Sequence, residues 1–91
     1  MSNSYIINIA LTKAFDPELA SLVPAERQRV QELAAEGLVT AGYMRSDLSG
    51  AYLVMQAGSE AEVRAALESL PMHRFMTCEI VPCQPMDLGP R

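Results

Sequence analysis

The chain has few of the residues that metal sites and disulfides require. It contains two cysteines and one histidine, and Cys78 and Cys83 do not form a Cys-x-x-Cys pair. This set excludes the usual structural zinc sites, so we expect no metal. If residues 76–82 form a strand, the two thiols point to opposite faces, which also opposes a disulfide between them. Free thiols are typical of a reducing compartment and predict a cytoplasmic protein.

Positive charge is also scarce. Seven lysines and arginines stand against eleven acidic residues, which gives a net charge of −4. Nucleic acids and anionic membranes both require a basic face, so neither is expected as a partner. The longest apolar runs cover only a few residues, far short of a membrane span. The first four residues have neither a basic region nor a long apolar region, so no export signal is expected. With 49% hydrophobic and 20% charged residues, residues 1–91 are predicted to form one globular domain.

Hydrophobic periodicity predicts the order strand, helix, strand, strand, helix, strand. Residues 5–11 alternate as a strand, with Tyr5, Ile7 and Ile9 on one face. A short helical turn is expected over residues 17–22. Pro24 suits the first position of the main helix, and Gly37 suits the position just after its end.

The second half of the chain is predicted to contain a hairpin, a second helix and a last strand. Residues 38–45 and 51–56 are predicted to pair as a hairpin around the turn-rich residues 46–50. Ser59 is the expected N-cap of the second helix, with Glu62 completing a capping box. The helix ends before Pro71, and residues 75–81 form the last strand. Three prolines make residues 82–91 an irregular C-terminal arm.

This order of elements is that of a ferredoxin-like βαββαβ unit of the α+β class, with a four-stranded antiparallel sheet. Both helices cover one face of the sheet, and the other face is left bare. Because its strands are mostly apolar, we expect two sheets to pack face to face as a dimeric α+β barrel. Ligand sites of that architecture are expected between the open sheet face and the first helix.

Several pieces of the chain carry a family resemblance. They are Glu26-Arg27, Gln31, Leu33, Gly37, and the segment from Ser69-Leu70-Pro71 to Glu79. Their order and spacing resemble the muconolactone isomerase family and, more distantly, YCII-related proteins. The resemblance implies a cofactor-free isomerase or lyase that moves a proton within a small organic acid or lactone, in the catechol branch of aromatic degradation. It also implies homodimers or larger homo-oligomers with a small-molecule ligand.

The chain departs from the family pattern in two strands. The family has a histidine and a basic residue where Ile6 and Asn8 stand here, and a histidine in place of Ala41. Arg45 lies one position beyond the family's arginine, and such an offset moves a side chain to the other face of a strand. The predicted function is therefore an isomerase with an altered pocket. The alternative is a non-catalytic dimeric barrel that binds a small ligand or supports a partner enzyme.

Glu26 is the predicted catalytic base. It lies four residues before Val30, at the edge of the buried helix stripe, where partial desolvation would raise its pKa. The alternative is a solvated first-turn glutamate that favours the helix dipole. Arg27 is the matching candidate for holding an anionic substrate, with an exposed surface cation as its alternative. His73 is expected to lie exposed in a loop.

The strands supply the remaining candidates. Tyr43 and Tyr52 could each offer a hydroxyl to a substrate oxygen, Tyr43 as a catalytic group and Tyr52 as a binding group; both could equally be packing residues. Asn8, Arg45 and Glu79 are the other predicted substrate-binding residues. Glu79 is expected to face away from the helices, where a structural ion pair with Arg45 is the alternative to a role in binding.

Overall fold

The first strand lies inside the sheet and organises the core. In this computed structural model, which describes residues 3–90, β1 (Asn3–Leu11) presents alternate residues to opposite faces. Tyr5, Ile7 and Ile9 are buried on one face, as the period of two predicts. Residues 1, 2 and 91, which belong to the N-terminal stretch and the C-terminal arm considered above, lie outside the described residues.

The remaining elements complete a βαββαβ unit. They are α1 (Pro17–Ala35), β2 (Val39–Met44), β3 (Gly50–Ala57), α2 (Glu60–Glu68), a short 3-10 helix (His73–Phe75) and β4 (Met76–Cys83). The strands lie in the order β2-β3-β1-β4, and every neighbouring pair is antiparallel. The predicted ferredoxin-like α+β fold is confirmed.

Both helices pack on the same face of the sheet. Leu33 of α1 and Val63 and Leu67 of α2 join one buried cluster with Ile7 of β1. Burying a side chain of this size contributes about 1.5–3 kcal/mol, so this layer supplies much of the stability. The opposite face, called the open face below, carries apolar residues that remain about two-fifths exposed. They are Ile6 at 42%, Tyr52 at 41% and Val81 at 41%. The dimeric barrel that would cover them stays a prediction.

The first helix is longer than predicted. The separate turn over residues 17–22 and the helix start at Pro24 were wrong, because α1 begins at Pro17 and runs through Pro24. The Asp16 carboxylate accepts a hydrogen bond from the Leu19 N–H at 2.9 Å, and the Leu19 side chain is fully buried. This cap and this contact hold the first turns in place although Pro24 removes one helical hydrogen bond. At the other end Gly37 has φ +82°, as predicted for the residue after a helix.

The second helix and the last strand follow the prediction with small differences. Ser59 accepts a hydrogen bond from the Glu62 N–H at 3.3 Å, while the Glu62 carboxylate accepts one from the Gly58 N–H at 3.1 Å. The return bond of the capping box therefore reaches the residue before the cap. Pro82 was predicted in the C-terminal arm, but it lies within β4. An edge strand tolerates proline because one of its sides has no ladder to complete.

The hairpin between β2 and β3 ends in a close approach of β3 to β1. The Leu48 N–H donates to the Arg45 carbonyl at 2.9 Å, and Leu48 adopts a left-handed backbone conformation with φ 64°. A Cβ at Gly50 would lie 2.0 Å from the Ile9 carbonyl oxygen. Only glycine allows this approach of β3 to β1, which fixes the position of the hairpin.

Candidate functional site

A cavity of about 610 Å³ lies between α1 and the helix-covered face of the sheet. Ile9 and Leu53 line it from the sheet, and Val23 and Val30 line it from α1. This volume is within the usual range for small-molecule sites. The ligand site was predicted between the open face and the first helix, and this cavity lies on the other side of the sheet. Within one chain α1 packs on the covered face, so the open face is out of its reach.

Glu26 is a polar residue within the helix stripe that faces this cavity. It follows Val23 by three residues and precedes Val30 by four, so all three lie on one side of α1. Its carboxylate is half-buried, and Oε1 accepts a hydrogen bond from the Met72 N–H at 2.9 Å. This bond fixes the side chain against the loop between α2 and β4. It uses only Oε1, one of the two carboxylate oxygens.

The surroundings of Glu26 favour its protonated form. Burial raises the pKa of the Glu26 carboxyl above its ordinary value, and the hydrogen bond from Met72 opposes this rise only in part. A carboxylate whose pKa is raised is a stronger base and can accept and return a proton closer to neutral pH. The arrangement can therefore carry out general acid–base chemistry on a molecule in the cavity.

Arg27 supplies positive charge to the same cavity. It lies next to Glu26 on α1, lines the cavity and is exposed to solvent. Its planar guanidinium can hold a carboxylate with two parallel hydrogen bonds. Gln31, one turn further along α1, adds an amide to the same rim. The cavity wall formed by α1 thus combines a half-buried base with an exposed cation.

A separate polar network crosses the open face. The Arg45 Nη2 donates to Asn8 Oδ1 at 2.7 Å, and the Asn8 Nδ2 donates to Glu79 Oε1 at 3.5 Å. The Arg45 guanidinium also lies 5.3 Å from the centre of the Tyr52 ring, within the range of a cation–π contact. Within residues 3–90, Arg45 and Glu79 are connected through Asn8 and form no direct ion pair.

The sequence model of the muconolactone delta-isomerase family matches residues 6–86, which include both the cavity and the open-face network. The chain belongs to the muconolactone delta-isomerase family. No curated protein sequence matches the chain. The matched range begins within β1 and extends past β4, so it includes most of β1, the other three strands and both helices.

The residues predicted for a muconolactone isomerase-like site fall into two groups. Glu26 and Arg27 line the cavity, whereas Tyr43, which is 67% exposed and borders it, pairs with Tyr52 and presents its side chain to the open face. Asn8, Arg45, Tyr52 and Glu79 do not line it and lie together on the open face. The expectation that Arg45 or Tyr52 would share a pocket with Glu26 was wrong, because β-strand alternation places them on the other side of the sheet.

The departures from the muconolactone isomerase pattern share one face of the sheet. Ile6 and Asn8 belong to the open face, and Ala41 pairs with Val54, the partner of Ile6, and so faces the same way. All three departures therefore change the bare face of the sheet rather than the cavity below α1. The altered pocket expected from Ile6 and Asn8 is not found in this cavity.

Three cavity residues could not be assigned to the site from the sequence. Met72 provides the N–H that binds Glu26, and this contact joins residues 46 positions apart. Phe15 and Leu48 line the cavity from the β1–α1 loop and the β2–β3 turn. The one available signal was the unusual presence of large apolar residues in both turns.

The cysteines and the histidine lie outside this arrangement. Cys78 and Cys83 are free, and their register with Ile9 and Ser4 places them on opposite faces of β4. Burial raises the pKa of the Cys78 thiol, which keeps it protonated. The prediction of an exposed loop position for His73 was wrong, because it lies half-buried in the 3-10 helix; it does not line the cavity. In the part of the chain that the structure describes, no group of acidic, histidine and cysteine side chains could hold a metal, and no helix could cross a membrane.

Proposed function

We propose that the protein is a cofactor-free isomerase or lyase that moves a proton within a small organic acid or lactone. The observation that supports this most is the placement of Glu26, a half-buried carboxylate on the wall of a cavity of ligand size. Membership of the muconolactone delta-isomerase family supports the same reaction type. The aromatic catabolism in which that family works is the proposed setting, and the free thiols favour the cytoplasm.

In this proposal Glu26 takes a proton from the carbon next to the carbonyl group of the ligand. The electron pair moves into an enolate, and the protonated Glu26 returns the proton to the far carbon of the conjugated system. The double bond shifts, and no atom is gained or lost. The Met72 N–H holds Glu26 Oε1, which leaves Oε2 for the transfer. Arg27 binds the ligand's carboxylate. Tyr43, the other predicted catalytic group, pairs with Tyr52 on the open face and takes no part in the transfer.

We propose further that the open face is covered by a second copy of the chain. Ile6, Tyr52 and Val81 are too apolar to be left together in water, and they surround the Arg45–Asn8–Glu79 network. Covering such a sheet face buries roughly 800 Å² per partner, which is ordinary for a stable dimer. Because this face and the cavity lie on opposite sides of the sheet, the two roles can be tested separately.

The second candidate is a binding protein without catalysis. It is favoured by the separation of the polar residues, because Arg45, Asn8 and Glu79 cannot reach a ligand in the cavity of their own chain. Glu26 would then serve only to anchor Met72, and Arg27 to hold an anion. Ligand binding without any change in the ligand would support this candidate.

The two candidates are separated by screening small lactone acids and keto acids for thermal stabilisation of the protein. A stabilising compound is then incubated with the wild type, and the position of its double bond is followed by NMR. We expect Glu26→Gln to bind the compound and leave it unchanged, because the amide keeps the shape and lacks the base. Glu68→Gln, the same change at an exposed position on α2, is the matched control. Equal turnover by wild type and Glu26→Gln would refute the assignment.

A further inference from the structure

The end of the cavity near the β2–β3 turn has an exposed apolar lip, formed by Phe15, Met44 and Leu48. All three side chains line the cavity and are also 45%, 72% and 44% exposed, respectively. Large apolar side chains that are exposed singly need no explanation, but three at one cavity mouth mark a surface that binds something apolar.

Leu48 carries a second and independent signal. Its φ of 64° lies in the left-handed region, where glycine, asparagine and aspartate are favoured and a leucine is strained. Strained backbone conformations that persist are concentrated at ligand sites, where the surroundings make use of them. In a turn that also contains Ser46, Asp47 and Ser49, the strained position is occupied by the one large apolar residue.

The cavity is also longer than a single small ring requires. It follows α1 from Val23 to Ala34, which is eleven residues or roughly 16 Å at 1.5 Å per residue. Glu26 and Arg27 lie nearer to the Val23 end, which is the end of α1 that follows Phe15 in the chain. A ligand held by Arg27 therefore has the apolar lip on one side and the rest of the cavity, toward Ala34, on the other.

We propose that the ligand is an organic acid with an extended alkyl or aryl substituent, and that Leu48, with Phe15 and Met44, binds this substituent. The carboxylate is bound by Arg27 and the reacting carbon lies at Glu26, so this inference rests on the proposed function for the role of Glu26. The binding of the substituent does not require proton transfer. Leu48 is thus a residue that determines specificity.

The test uses a series of straight-chain carboxylic acids of increasing length, kept below the concentrations at which they form micelles. Their affinities for the wild-type protein are measured by calorimetry. We expect each added methylene to tighten binding about fourfold until the lip is covered. A series with no length dependence would overturn the proposal.

Leu48→Asn provides the decisive variant. Asparagine tolerates the left-handed conformation, so the fold should be kept or become more stable, as circular dichroism and thermal melting will show. We expect the longest acids to bind roughly tenfold more weakly or worse, since the contact with a leucine side chain is lost. Leu88→Asn, at an exposed leucine of the C-terminal arm outside the cavity, is the matched control and should bind like the wild type.

The outcomes also distinguish this inference from the proposed function. If length-dependent binding depends on Leu48 but no bound acid exchanges a proton, the catalytic proposal fails and the substituent site stands. If Leu48→Asn binds every acid like the wild type, the substituent site is refuted whatever the activity. If Leu48→Asn instead dissociates oligomers in sedimentation and leaves the acid series unchanged, the lip is covered by a second copy of the chain and the proposal is overturned.

Discussion

The contact between Glu26 and Met72 allows two substitutions to separate the charge of the carboxylate from its hydrogen bond. Glu26→Gln removes the charge but keeps an oxygen that can accept from the Met72 N–H at 2.9 Å. Glu26→Ala removes both. At neutral pH we expect Glu26→Gln to be at least as stable as the wild type, because burial disfavours the charged carboxylate and an amide does not incur this cost.

Glu26→Ala leaves the N–H of Met72, a buried residue in a partly buried loop, without its partner. An unsatisfied buried N–H costs about 1–3 kcal/mol, and in a domain of this size 1 kcal/mol lowers Tm by about 4–8 °C. We therefore expect Glu26→Ala to melt roughly 5–20 °C below Glu26→Gln, at a fixed protein concentration because Tm of an oligomer depends on it. Equal melting temperatures would refute the structural role of this hydrogen bond.

The raised pKa of Glu26 also predicts how the stability of the protein depends on pH. Because the pKa of Glu26 is raised in the folded protein, the folded state holds this proton more tightly than the unfolded state. The stability that Glu26 contributes is fully present below its pKa in the unfolded state and is lost as pH rises through its pKa in the folded state. Glu26→Gln lacks this loss, so its free energy of unfolding should match the wild type in acid and exceed it at neutral pH. Denaturant titrations at several pH values measure this free energy, with Glu68→Gln as the control. Identical pH dependence for wild type and Glu26→Gln would contradict the raised pKa.

Three further substitutions test the fold and its partner. Asp16→Ala should cost about 1 kcal/mol and lower Tm by about 4–8 °C, since the Leu19 N–H loses its cap; an unchanged Tm would contradict this. Gly50→Ala should prevent cooperative folding, as its Cβ would lie 2.0 Å from the Ile9 oxygen; a wild-type melting curve would disprove the close approach. Ile6→Glu should convert a dimer to monomers in sedimentation, and a monomeric wild type would refute the proposed open-face dimer.

The elements of the fold were predictable because local patterns encode them. The alternation in β1, the buried stripe of α2 and the left-handed Gly37 all follow from spacing and residue type within a few positions. The continuity of α1 through Pro24 was not predictable in this way. It depends on the burial of Leu19 against the rest of the protein, and proline alone indicates a helix start as readily as an interior position.

The candidate site was predictable only in part. Glu26 and Arg27 were identified from their helix position and the family resemblance, and both line the cavity. The partner of Glu26 is a backbone N–H at Met72, and backbone groups carry no sequence signal. The assignment of Arg45 to the same pocket failed because the side of the sheet that α1 covers is set by the packing of both helices.

The most direct test of the central claim is deuterium exchange into a bound acid. A compound that stabilises the protein is incubated in D₂O, and the loss of its proton next to the carbonyl is followed by NMR in the presence of wild type, Glu26→Gln and Glu68→Gln. The proposed role of Glu26 predicts rapid exchange with wild type and Glu68→Gln and only the uncatalysed rate with Glu26→Gln. Exchange by Glu26→Gln at the wild-type rate would show that another group moves the proton.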